Sequence, residues 1–563
     1  MSTVTPDILA VSLATTPEVG TNVRGQVSGA GWLYALPGLE GGRVVCLGLP
    51  PAPTLAALVR VGRVTLRIAD GDVTRARAAA TTLPDAGIII TTDDALEAEP
   101  IDLLVITDAP PPAAALTQLL ARIRSGGVAI DLREGGRGGD LPVPDPNGWT
   151  QRTYRRWPDR GEIRGMVPAD GTIDAAALER AGLLAVASGG NDRSIRARAL
   201  RWLRRRTRRR GRWGAVRTAI RLPDAPAGPP AYLRELAASA GHDLSGWGWA
   251  VAARGDYDSQ KVLVLLREPQ AAEPGAVVKV TRSSTHAERL ANEARALADL
   301  ASSPSAAGRV PVTWFSGVHA GRAVLAQSVL SGSPFRTRAT FTADDPLLTD
   351  ALGWLQQLGV ETARPVPAAD VAAVLDVLLD RFERVYRPAD EERVALRAVV
   401  DRSRGARPIP LVRQHGDPGI WNLLASDDGR ALFLDWEASE TDGLPLWDTL
   451  YLHRSYAIAA SKRRGIRDAT TAARGHLVGS SPLAVRLRET IDAYVDAVGV
   501  PAEAVEALTY GCWIHRALKE ANRLPAGRLQ QGAYAGHIRL LLEASADKGP
   551  RQLGQPSGIA AER

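Results

Sequence analysis

The chain has 563 residues, 45% apolar and 23% charged, which suits a globular protein too long for one core, so two to four domains are expected. Only two cysteines, Cys46 and Cys512, are present, which excludes a disulfide framework and a thiolate zinc site. No apolar run reaches the roughly 18 residues of a membrane span, and residues 1–20 lack the basic start and apolar core of a signal peptide, so a cytoplasmic location is expected. The formal charge of +7 comes mostly from arginine; lysine occurs only at Lys261, Lys279, Lys462, Lys519 and Lys548, so each lysine invites a reason.

From Gly42 to Arg133 short apolar runs alternate with helix-permissive stretches. Arg43–Leu49, Arg63–Ile68, Gly87–Thr91, Asp102–Thr107 and Gly127–Leu132 read as buried strands, which predicts an α/β domain over 1–165 with a parallel sheet. Asp70 follows the second strand, 22 residues after Gly48, where an acid can take ribose hydroxyls. With Asp94 after the third strand and the Ser125-Gly-Gly127 turn, this segment resembles the Rossmann-like core of class I S-adenosylmethionine-dependent methyltransferases. The loop Leu47-Gly-Leu-Pro-Pro-Ala-Pro53 departs from that pattern, because its prolines remove backbone donors and fix φ where a cofactor must approach. The departure implies a degenerate domain used for binding, docking or assembly.

Residues 134–165 read as loop, and 166–235 as a basic bridge with a Pro-rich linker at Pro223–Pro230. Arg193–Arg221 carries thirteen arginines and no acid, with Trp202, Leu203, Trp213 and Ile220 interleaved, and reads as helical. That composition suits an anionic membrane surface, which would make the protein peripheral at the inner face of a membrane. It equally suits an acidic face of a neighbouring domain. Nucleic acid is not expected, since no nucleic-acid motif accompanies the cluster.

After the linker, Gly248–Ala253 and Lys261–Leu266 read as strands joined by Arg254–Ser259, with Gly275–Val280 as a third. Lys279 sits inside that third apolar strand, where a lysine is costly unless it meets an anion. The helix His286–Leu300 follows. Glu293 lies on the side of its apolar stripe (Leu290, Ala294, Leu297, Ala301) and is preferred over Glu288 as the lysine's partner. Ala323–Gly332 then reads as a strand and a connecting segment, with Gln327, Ser328 and Val329 in it.

The decisive segment is His415-Gly-Asp-Pro-Gly-Ile-Trp-Asn422, followed by Leu432-Phe-Leu-Asp-Trp-Glu437. Phosphoryl transfer to an alcohol needs a carboxylate at the hydroxyl, oxygen ligands for Mg²⁺ and cations on the phosphates. Asp417 can orient the hydroxyl and accept its proton, while Asn422 and Asp435 offer oxygens to one metal. This constellation resembles the catalytic loop and metal-binding strand of the aminoglycoside phosphotransferase and choline kinase families. The resemblance implies an α+β bilobal, protein-kinase-like fold with an N-lobe over 236–332 and a C-lobe over 333–547, then a tail at 548–563. It further implies ATP and Mg²⁺ as cofactors, Asp417 as catalytic base, and Asn422 and Asp435 as metal ligands. Lys279, braced by Glu293, would hold the phosphates, and backbone of Gln327–Val329 would meet the adenine. His415 and Asp448 would brace the loop, and Glu437 would stand as an extra ligand or support.

The acceptor side falls in Tyr451–Ser545, with Asp492, Trp513, His515 and Glu520 as candidates. Lys462, Arg463, Arg464, Arg467, Arg474, Arg486, Arg488 and Arg516 make that region basic. A polycationic aminoglycoside fits this poorly, and a sugar, polyol or glycan precursor fits better. The reading is therefore an ATP- and Mg-dependent phosphotransferase acting on a hydroxyl. A bifunctional methyltransferase–kinase and a pseudokinase scaffold in envelope assembly are the alternatives.

Overall fold

The computed structural model describes residues 42–548, except 84–86, 93–98, 108–111, 134–140, 145–147, 158–164, 169–213, 221–227, 254–259, 272, 523 and 525. The described residues form two compact units, one from 42–291 with 313–329, the other from 292–312 with 330–548.

In the first unit, β1 (Gly42–Leu47), β2 (Gly62–Arg67), β3 (Ile88–Thr91), β4 (Ile101–Ile106) and β5 (Ile123–Asp131) pair in parallel in the order β3-β2-β1-β4-β5. Helices α1 (Ala52–Val61), α2 (Val73–Thr81) and α3 (Ala113–Ala121) connect them, and α4 (Ala231–Ser239) comes later in the chain. Val44, Val45, Cys46, Leu103, Leu104 and Val105 are all buried, because such a sheet is covered on both faces and its strands must be apolar throughout. The expected Ser125–Gly127 turn lies inside β5, with Gly126 at φ +82°. Asp94, Glu134–Asp140, the loop Arg254–Ser259 and the tail beyond Lys548 lie outside the described residues.

Three more strands extend the sheet: β6 (Thr150–Trp157), β7 (Gly165–Pro168) and β8 (Gly214–Ile220). β8 runs antiparallel between β5 and β6. This corrects the helix expected through Arg221: Val216, Thr218 and Ile220 place a β-branched residue at every second position, a strand's period. The rest of the arginine-rich stretch, 193–213, lies outside the described residues. β9 (Gly248–Ala252), β10 (Val262–Arg267), β11 (Ala276–Val280), β12 (Thr313–His319) and β13 (Arg322–Ser328) follow as an antiparallel set. β9 pairs with β7, so among the described residues a single sheet of 13 strands runs β12-β13-β11-β10-β9-β7-β6-β8-β5-β4-β1-β2-β3. The sheet therefore continues across residue 165, where the sequence suggested a boundary.

The second unit is mainly helical. It contains α5 (Ala287–Leu300) from Asn292 onward, α6 (Pro346–Thr362), α7 (Ala368–Tyr386), α8 (Asp390–Ser403), α9 (Trp447–Arg463), α10 (Pro482–Val498), α11 (Ala502–Ala521) and α12 (Ala533–Lys548). Short strands β14 (Ile409–Gln414), β15 (Leu423–Ala425), β16 (Ala431–Phe433) and β17 (Glu440–Gly443) carry the His415–Asn422 loop between them. One core gathers Leu375, Phe382, Trp447, Leu508 and Trp513, the other Trp354, Phe433, Trp436 and Tyr456. α9 contributes to both, which is why it is buried on nearly every side and shows no polar face. Among the described residues no helix is long and apolar enough to cross a membrane.

Candidate active site

The loop after β14 is built around two buried side chains. His415 is fully buried and Asp448, at the start of α9, is 7% exposed. Asp448 accepts the His415 backbone N–H at 2.5 Å through Oδ2 and the Gly416 N–H at 3.1 Å through Oδ1. Burial pushes the Asp448 carboxyl above the usual range, while His415 and the backbone donors pull it down. The His415 ring takes one tautomer: Nδ1 accepts the Asp417 N–H at 3.2 Å, so Nε2 carries the proton and donates to the Leu434 carbonyl at 2.8 Å. One imidazole thus ties the loop to the strand end that presents Asp435. Gly416 has φ +79°, and a Cβ there would sit 1.9 Å from the Ala438 carbonyl oxygen, so the loop admits only glycine.

Asp417 projects from this frame with its side chain 35% exposed. Arg516 of α11, only 7% exposed, donates to Asp417 Oδ1 at 3.3 Å and to the Gly416 carbonyl at 2.7 Å. Asn422 turns its amide nitrogen inward, to the Asp417 carbonyl at 2.9 Å and to Oδ2 at 3.4 Å. Its amide oxygen is thereby left as the acceptor that a cation would use. Asp435 has φ +65° and ψ +65°, a conformation that costs a non-glycine residue energy and concentrates at functional sites. Behind it Trp436 is fully buried, 4.6 Å from the His415 ring and 6.1 Å from Trp354. Arg309 fixes the preceding strand: its guanidinium forks onto Asp350 at 2.6 and 2.9 Å, and Asp350 accepts the Ala431 N–H at 2.7 Å. Asn292 of α5 donates to the carbonyls of Glu437 and Ser439 at 3.2 and 2.8 Å. Among the described residues no three His, Cys, Asp or Glu side chains gather as a metal site, so Asn422 and Asp435 would complete a magnesium shell only with nucleotide oxygens.

His415, Asp417, Asn422, Asp435, Glu437 and Asp448 therefore share one loop-and-strand frame in the second unit. Lys279 belongs to the first unit, in β11, 8% exposed, and Glu293 to the second, in α5, fully buried; Glu288 is exposed. Gln327 and Ser328 end β13 opposite Val277 and Ala276, and Gln327 is 2% exposed. The Val329 N–H donates to the Gly275 carbonyl at 3.1 Å, so that donor is not available to a base.

Beside Asp417 lies a cluster that sequence reasoning did not single out. Three helices each present two side chains three residues apart: Tyr451 and Arg454 on α9, Trp513 and Arg516 on α11, Tyr534 and His537 on α12. Arg516 stacks 3.4 Å over the Tyr451 ring and Arg454 4.1 Å over Tyr534. Trp421, 57% exposed, meets Tyr451 edge-on at 6.1 Å. The aromatic-plus-basic spacing i, i+3 was the available signal. Of the expected candidates, Trp513 joins this cluster, His515 stacks instead on Trp447 at 4.9 Å, and Glu520 accepts the Tyr534 N–H at 3.2 Å.

His537 accepts from Arg454 Nε at 3.0 Å through Nε2, while its Nδ1 donates to the Ala533 carbonyl. Burial and then Arg454 push its pKa down from 6.5 to about 3. A proton on Nε2 would face the guanidinium. The unfolded chain takes up this proton near pH 6.5 and the folded one does not, so the contribution is complete above pH 6.5 and is lost as pH falls toward 3. The thermal midpoint of this unit should accordingly drop between pH 7 and pH 4, and less so in His537→Gln, whose amide oxygen still accepts from Arg454. Parallel pH curves for both proteins would contradict this account.

Residues 249–483 match the model of the phosphotransferase enzyme family. That match gives the class: residues 249–483 carry a module similar to this phosphotransferase family, and they include the frame of Asp417, Asn422 and Asp435. Among solved structures, the chain is similar to a glucosamine kinase in complex with glucosamine, ADP and inorganic phosphate (16% identity, TM-score 0.34, covering 57% of this chain and 84% of that one). It is also similar to aminoglycoside phosphotransferase APH(3'')-Id from Streptomyces rimosus (16% identity, TM-score 0.29, 48% and 98% covered). A third is choline kinase LicA from Streptococcus pneumoniae (15%, TM-score 0.31, 51% and 90%). No curated protein matches the chain.

Proposed function

We propose that the C-terminal half moves the γ-phosphate of ATP onto a hydroxyl of a neutral or anionic small molecule, a sugar, polyol or glycan precursor. The observation that carries this reading is the Asp417 carboxylate, partly exposed on a loop that His415 and Asp448 hold by its backbone, with the Asn422 amide oxygen left over beside it. Asp417 accepts the hydroxyl proton as the acceptor oxygen bonds to the γ-phosphorus and the bond to the ADP oxygen breaks. Arg516 fixes the Asp417 carboxylate and the Gly416 carbonyl together, so the base keeps its aim. Asn422 and Asp435 are assigned to magnesium, which would screen the phosphate charge. Lys279 with Glu293 is assigned to the phosphates, and the Gln327–Val329 backbone, apart from the occupied Val329 N–H, to the adenine. The acceptor class follows from the wall beside Asp417, where Arg516, Arg454 and aromatic rings stand in place of the carboxylates a polycation would require.

In the N-terminal module the order β3-β2-β1-β4-β5 supports a Rossmann-like reading. The Gly48 N–H donates to the Arg67 carbonyl at 2.8 Å and Pro50, Pro51 and Pro53 follow, so the loop offers few donors to a cofactor. A non-catalytic role therefore suits this module better than a second, methyl-transferring activity. The arginines of 193–213 keep both readings, an anionic membrane surface or an acidic face of a neighbouring domain.

The test is MgATP binding and slow ATP hydrolysis by the purified protein, beside Asp435→Ala. Magnesium-dependent binding that falls at least about tenfold in the variant supports the reading. Absence of binding under any metal condition would remove it and put the scaffold reading first.

A further inference from the structure

The antiparallel strands β9–β13 do not end at β9. On the outer edge of β9, β7 pairs Gly165 with Ala252 and Met166 with Val251. The register then continues without a shift. Ala252 opposes Leu263, Leu263 opposes Lys279, and Lys279 opposes Leu325. In the adjacent row, Met166 leads through Val251, Val264 and Val278 to Ala326. All five side chains of that row are buried in one apolar cluster, Met166 at 1% exposure. Tyr154 of β6, 2% exposed, joins the same cluster and meets Trp249 of β9 edge-on at 5.5 Å.

We propose that the β6–β7 hairpin of the N-terminal module is a working part of the nucleotide lobe: it holds β9 and β10 in register and thereby positions Lys279. This rests on the kinase reading. Without β7, β9 is an open edge with unpaired backbone groups, and its inward row loses Met166 and Tyr154. Lys279 is flanked by Val278 and Val280, both buried in the cluster to which Met166 belongs, so the strand carrying the cation is seated by the core that the hairpin completes. A cation on a strand so seated loses its aim when the strand shifts by a fraction of an ångström, and such a loss registers in nucleotide affinity first. The N-terminal module thus acquires a function that needs no cofactor: it is an intramolecular edge-strand donor to the phosphate-binding sheet.

Full-length Met166→Ala, Met166→Leu and wild-type protein decide the matter, with Met166→Val as the smaller truncation should the alanine variant not fold. MgATP affinity, the turnover of slow ATP hydrolysis and amide exchange along β9, β10 and β11 are read together. Met166→Ala should weaken MgATP binding at least about fivefold with saturating turnover within about twofold, and should raise exchange as far as β11. Met166→Leu, of similar volume, should restore both. Faster exchange confined to β7 and β9, with MgATP affinity unchanged, would overturn the proposal. A wild-type protein that binds no MgATP would instead remove the kinase reading, and exchange that still spreads to β11 in the alanine variant would keep the mechanical coupling apart from it.

Discussion

Asp417→Asn should lower turnover by roughly three orders of magnitude, within the 10²–10⁴ range of a general base, while MgATP affinity stays within a few-fold. Asparagine is nearly isosteric, so Arg516 can keep its contact to the side-chain oxygen and its stronger bond to the Gly416 carbonyl, and the loop should keep its shape. What the variant lacks is an oxygen able to take a proton. Single-turnover transfer with saturating ATP is the direct measurement. Near-wild-type turnover in the variant would assign the base elsewhere and leave Asp417 as a structural member of the loop.

The second large effect belongs to Asp448, which touches no reacting atom. Its two carboxylate oxygens each accept one backbone N–H, from His415 and Gly416, in a buried position. Asp448→Ala leaves two donors orphaned, at about 1–3 kcal/mol each, so a stability loss of about 3 kcal/mol is expected for this unit in chemical denaturation. Asp448→Asn should recover little of that. Its oxygen can serve one donor, but its amide nitrogen then points a third donor at the other. Turnover should fall in both variants, because the loop that aims Asp417 is freed. An asparagine variant as stable as wild type would mean that one of the two bonds contributes nothing.

The loop-and-strand frame was legible because its residues are neighbours in the chain. His415, Asp417, Asn422, Asp435 and Glu437 lie within 23 residues, and a tight loop followed by a short strand can bring such neighbours together in few ways. Lys279 stood out for a similar reason: a buried strand that tolerates a cation names its own exception. Glu293 was separable from Glu288 by helical spacing, and burial follows that distinction, although the buried face runs through Leu290, Ala296, Leu297 and Leu300 more than through the expected Ala294 and Ala301. The five parallel strands were visible as apolar runs; β1, β4 and the end of β5 are buried as two covered faces demand, while the edge strand β3 leaves Ile89 half exposed.

The misreadings share a cause as well. Arginine density suggested a helix through Arg221, yet Gly214–Ile220 is a strand, and its sequence places β-branched residues at a strand's period whatever the charge around them. Arg516 was counted only as surface charge. Its place against Asp417 depends on α9, α11 and α12 meeting, and no spacing within one helix reports which other helix it faces. Sequence alone thus determined the expected class of chemistry and the loop residues that the structure gathers into one frame, since these lie a few positions apart. Tertiary structure alone decided that β7 completes the sheet bearing Lys279 and that Tyr451, Arg454, Trp513, Arg516, Tyr534 and His537 converge beside the loop. Edge-to-edge strand pairing and helix–helix packing join residues far apart in the chain through backbone groups and shape, and neither leaves a local pattern to read.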